Sequence, residues 1–203
     1  MMSPETAKNF HDNVEWFRDF YARLENLLYI IKTQLLQSEH LKGKALYPSQ
    51  YAYEASVTLP EPCFAFYPSQ QEDYTSLFVG TVLRKNWLSQ RLSMHDEPML
   101  MIVAHNLHDW GAMKQASQQF QRVALRILED SSVDNWAASE DRMSFSGSLG
   151  SGARGRIDFS GFLVPLDAFS EENCKTQKPD TVIGKAIVER VEKLLCEFDK
   201  TKQ

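Results

Sequence analysis

No stretch of this 203-residue chain approaches the ~20 consecutive apolar residues that a membrane-spanning helix needs. The opening residues, Met1-Met2-Ser3-Pro4-Glu5, lack the apolar core of a secretory signal. Cysteine is scarce. Cys63, Cys174 and Cys196 are far apart and form no CxxC pair. An odd, scattered set supports neither a disulfide framework nor a zinc knuckle, and fits reduced thiols in a cytoplasmic protein. Positive charge is also short: 22 Lys and Arg stand against 27 Asp and Glu, for a net charge of −5. That balance argues against a broad nucleic-acid-binding face. The Gly-Lys-Ser/Thr end of a phosphate-binding loop and the GxSxG of a nucleophile elbow are both absent. These absences direct the reading to a cytoplasmic globular protein with neither membrane span nor bound cofactor. The apolar fraction of 43 % and charged fraction of 24 % are ordinary for such a protein. The length suits one domain covering residues 1–203.

The centre of the chain carries the longest uninterrupted apolar run, Met99 to Ala104, between Pro98 and a polar cluster. A run this short and apolar on both faces predicts a central strand. Leu77 to Leu83 has the same character, with Gly80 marking a bulge or a close approach. Tyr51 to Leu59 alternates as a strand does, and Cys63 to Tyr67 is a further extended piece. Met143–Leu149 and Arg156–Leu166 read as a strand pair around a glycine- and serine-rich loop. The interval from Ser131 to Asp141 is polar apart from Val133 and Trp136, and reads as a connection.

Three helices flank these strands. Phe10, Val14, Phe17, Tyr21, Leu24, Leu28, Ile31 and Leu35 follow one another in steps of four and three, with no glycine before Gly43. They predict one helix over 4–37, about 50 Å long at 1.5 Å per residue. It either lies along a sheet or pairs its heptad seam with a second copy, and one helix can divide between the two. A middle helix is expected over 110–129, from Met113, Ala116, Phe120, Val123 and Ile127. A C-terminal helix is expected over 180–199, from Ile183, Ile187, Val191, Leu194 and Phe198. The expected fold is α+β, with a mainly antiparallel or mixed sheet of about five or six strands.

Two constellations could carry chemistry. His105-Asn-Leu-His108-Asp109 stands where the central strand gives way to the middle helix. Imidazoles beside a carboxylate can transfer protons near neutral pH, and His105, His108 and Asp109 are the candidate catalytic residues. The competing reading makes Asp109 a helix cap and both histidines ordinary hydrogen-bonding groups. The spacing supplies no further ligands, so no metal site is assigned. Gly150, Gly152, Arg154 and Arg156 lie in the glycine loop and are the candidate ligand-binding residues. Gly150, Gly152 and Gly155 spell a formal GxGxxG, but a strand follows where the dinucleotide fingerprint requires a helix. The loop is then either a plain hairpin connection or a flap whose amides and arginines meet a small anion.

Two functions follow from these features. The first is a non-enzymatic, self-associating binding or regulatory module, a homodimer through the N-terminal helix. The alternative is a hydrolase or transferase acting on an anionic small molecule, with the glycine-rich loop as lid. They differ in whether the glycine loop and the end of the Met99–Ala104 strand share one pocket.

Overall fold

The computed structural model describes residues 4–38, 46–48, 63–68, 75–82, 97–106, 133–141, 143–150, 156–169 and 183–200. Helix α1 (Pro4–Gln37) has the bounds that the apolar spacing predicts. Seven strands follow: β1 (Leu46–Pro48), β2 (Cys63–Pro68), β3 (Ser76–Val82), β4 (Met99–His105), β5 (Val133–Ala138), β6 (Ser144–Leu149) and β7 (Ile157–Pro165). A 3₁₀ turn, Leu166–Phe169, closes β7. A π-helical turn, Gly184–Val188, leads into α2 (Glu189–Lys200). The expected strand over 51–59 and the middle helix over 110–129 lie outside the described residues.

The strands form one sheet in the order β1-β2-β3-β4-β7-β6-β5, with every neighbouring pair antiparallel. The fold is α+β, and among the described residues its sheet has seven strands where the sequence suggests about five or six. Two strands have no counterpart among those expected, β1 and β5, and β5 lies in the interval 131–141 that reads as polar connection. Its register shifts between Asp134 and Ala137. An extra residue in one strand breaks the two-residue alternation. Val133 and Trp136 therefore pack on the same cluster although they are three apart, so β5 lacks the sequence signature of a strand.

Every residue of β3 and β4 is buried. These two strands lie inside the sheet and are apolar on both faces, as the central run predicts. Gly80 pairs in unbroken register with Cys63 on one side and Met101 on the other, so no bulge occurs there. Alternate side chains divide the core in two. One face carries Leu77, Val79, Leu100, Ile102, Ala104, Phe162 and Val164, packed with Leu28, Ile31 and Leu35 of α1 and with Ile187, Val191, Leu194, Leu195 and Phe198 of the C-terminal helical segment. The opposite face carries Phe78, Met99, Met101, Val103, Val133, Phe145, Phe159 and Leu163. Each fully buried side chain of this size contributes about 1.5–3 kcal/mol relative to exposure.

Two polar contacts fasten the helices. The Ser38 hydroxyl donates to a carboxylate oxygen of Glu192, joining the end of α1 to α2. The Thr75 hydroxyl donates to Asp199 at 2.8 Å, joining α2 to the start of β3. The Arg190 guanidinium lies 4.1 Å from the centre of the Phe162 ring, capping the apolar floor with a cation–π contact. Burial pushes the Arg190 pKa down, and the charge of Asp141 opposes that shift.

On the opposite face, Trp136 stacks on Phe145 at 5.6 Å, and both rings lie 6.3 Å from Phe159. This packing requires glycine at 161. A Cβ there would come within 2.5 Å of the Ile102 carbonyl oxygen and 2.9 Å of the Phe145 ring. Among the described residues, no helix is long and apolar enough to cross a membrane.

Candidate functional site

The helix-facing surface of the sheet changes character along β7. Side chains on one face of a strand are two residues apart. Phe162 and Val164 therefore share their face with Ser160 and Asp158. Strand pairing extends this polar end sideways. Ser148 lies opposite Asp158 and Ser146 opposite Ser160 on β6. On the other side, Asn106 directly follows β4, and its backbone N–H donates to the Asp158 carbonyl at 3.2 Å.

These residues floor a half-open cleft of about 480 Å³, bordered by Glu197 and Phe198 of α2 and by Asn135 of β5. That volume lies within the range of roughly 300–1,000 Å³ found for small-molecule sites.

Asp158 organises the polar floor. One carboxylate oxygen accepts from the Ser148 hydroxyl at 2.7 Å and from Arg156 Nε at 2.9 Å. The other accepts from the Asn106 amide at 3.5 Å. The Asp158 backbone N–H donates to the Asn106 side-chain oxygen at 2.8 Å. Arg156 Nη2 donates to Ser148 Oγ at 2.7 Å, closing the triangle. Burial pushes the Asp158 pKa up. The hydrogen bonds from Ser148 and Arg156, the Arg156 charge and the Asn106 amide together outweigh it and hold the carboxyl below its ordinary value.

A carboxylate held ionised in this way accepts hydrogen bonds well and is a weak general base. Ser148 donates to that carboxylate and accepts from a guanidinium, and no imidazole of the described residues is in contact to take its proton. The floor presents hydrogen-bond donors and acceptors to the cleft.

The structure separates the sequence candidates. Arg156 belongs to the cleft, and Gly150 is exposed just beyond β6, at the hairpin side of the same sheet end. His105 is fully buried and pairs with Ser76 and Phe159. Its position in the alternation puts it on the face of Met101 and Val103, opposite Asp158. His108, Asp109, Gly152 and Arg154 lie outside the described residues. Among the described residues, no three His, Cys, Asp or Glu side chains cluster as a metal ion would require.

Asn106, Ser148 and Asp158 are missed by sequence reasoning. Their signal was present but weak: Asp158 and Ser160 interrupt the apolar side of an otherwise apolar strand, and Ser144, Ser146 and Ser148 repeat at the strand period.

No family model, no curated protein and no solved structure matches this chain.

Proposed function

We propose that this chain is a non-enzymatic, self-associating binding or regulatory module of the cytoplasm, a twofold dimer through the first half of α1. One observation carries the reading: the apolar seam of α1 continues beyond the core it serves. Leu24, Leu28, Ile31 and Leu35 are buried. Val14, earlier on the same seam, is 48 % exposed, and Trp16 beside it is 60 % exposed. Trp16 stacks on Phe20 at 5.2 Å, one turn further on, and Phe20 meets Tyr21 edge-on at 5.9 Å. Exposed apolar surface continuous with a buried stripe is what a helical partner covers, and a second copy supplies the matching stripe by symmetry.

Light scattering at micromolar concentration tests this. The wild type is expected to have twice the monomer mass. A Val14→Glu, Trp16→Glu variant is expected to be a monomer with a secondary-structure spectrum like that of the wild type. A wild-type monomer would retire the reading.

A second reading has one observation in its favour. The base of the glycine-rich hairpin and the end of β4 share one cleft, as a lidded hydrolase or transferase for a small anionic substrate would need. It carries less weight because His105 lies on the other face of the sheet from Arg156 and Asp158.

A further inference from the structure

We propose that the cleft over β6 and β7 is a binding site for a small uncharged polyhydroxylated ligand, a sugar or polyol, held by hydrogen bonds with the serine row and Asn135 and by donation to the Asp158 carboxylate. This site is independent of the contact proposed for α1.

Charge selects the class. Among the described lining residues, Arg156 is the one cation, and Asp158 and Glu197 are anions. Arg156 is bound to Asp158 through Nε and to Ser148 through Nη2. An entering phosphate or carboxylate would therefore meet a guanidinium whose charge is locally balanced, with a second carboxylate on the facing wall. An uncharged ligand carries no such penalty.

Hydrogen-bonding capacity then selects the functional group. Ser146 and Asn135 line the cleft, and neither side chain makes a hydrogen bond to another described residue. The Asp158 oxygen facing Asn106 is held only at 3.5 Å. Ser160 makes only a 3.5 Å contact with the Phe145 carbonyl. Hydroxyls and the amide offer both donors and acceptors, while the carboxylate oxygen only accepts. A ligand hydroxyl both donates and accepts, so a polyol satisfies this mixture where a purely accepting anion does not.

The backbone at Asn135 is an independent observation. Its φ is 51°, the one positive value outside glycine among the described residues. The residue sits inside the β5 register shift and borders the cleft. Asparagine takes the left-handed conformation readily, and a bulge of this kind re-aims a side chain and is common next to functional sites. Here the bulged residue brings an amide to the cleft from a strand whose regular positions pair with β6.

The experiment is ligand-observed NMR followed by calorimetry, on the full chain, with glucose, galactose, mannose and myo-inositol as uncharged probes and inorganic phosphate as the anion. At least one uncharged probe is expected to bind, and phosphate is not expected to compete with it. The informative variants are Asn135→Gly, which keeps the backbone conformation but removes the amide, and Ser146→Ala. Each is expected to weaken binding at least fivefold with an unchanged thermal midpoint. Three results would each overturn the proposal: no uncharged probe binding at tens of millimolar, phosphate binding in their place, or polyol binding indifferent to both substitutions.

Discussion

The helix-facing surface of the sheet has two regions built from the same strands, and they divide the work of the molecule. Around Leu77, Ile102, Phe162 and Val164, the surface is apolar and lies beneath α1 and α2. Two residues back along β7 from Phe162 it becomes serine and carboxylate, and among the described residues the helices border it with Glu197 and Phe198. The change needs no change in backbone: β7 keeps its antiparallel register with β4 and β6 through both regions. One region therefore carries the packing that holds the helices, and the proposed recognition falls to the other. Substitutions should separate cleanly between them.

The largest effect is expected in the apolar region. Ile102→Ala should cost about 2–5 kcal/mol, because a fully buried side chain between two helices and a neighbouring strand leaves a cavity. A urea midpoint that barely moves would erase the distinction between the regions. A step smaller, Gly161→Ala should cost about 1–3 kcal/mol by forcing Phe145 or the β4 backbone to shift. Wild-type stability in that variant would mean that the aromatic cluster is looser than its contacts suggest.

The polar region should respond more weakly and with a pH signature. Asp158→Asn should cost less than about 1 kcal/mol at neutral pH, since its partner Arg156 is 60 % exposed and the pair is screened by solvent. The sign follows from the lowered pKa. A carboxyl whose folded pKa lies below its unfolded value stabilises the fold above the unfolded value. That increment is lost as pH falls through the folded value. Wild type and Asp158→Asn should therefore converge in thermal midpoint at acid pH and separate toward neutrality. A constant difference across pH would show that the substitution acts through packing.

What was legible in the sequence follows the same division. The bounds of α1, the strands β3 and β4 and the β6–β7 pair are visible because regular spacing and burial coincide. Leu24, Leu28, Ile31 and Leu35 repeat at the helical period and all reach the core. β5 was hidden because its bulge breaks the period that marks a strand. The cleft was hidden because it forms from residues 52 positions apart in sequence, Asn106 and Asp158, joined by strand pairing that no local pattern encodes. Arg156 draws attention by its place beside the glycine loop, and the structure puts it at the cleft. His105 attracted attention by its chemistry, yet alternation along β4 turns it to the other face, and the facing direction depends on a register that the sequence leaves open.

The bulge in β5 has a consequence for how copies of the chain meet. β5 is last in the strand order, and most of its residues are exposed. A straight strand with no further partner among the described residues would offer its amides and carbonyls as a template for another sheet, the route to uncontrolled aggregation. The left-handed Asn135 and the register shift kink that template, and Asp134 adds a charge beside it. Growth by strand addition is thereby discouraged along β5, beside the polar end of the sheet.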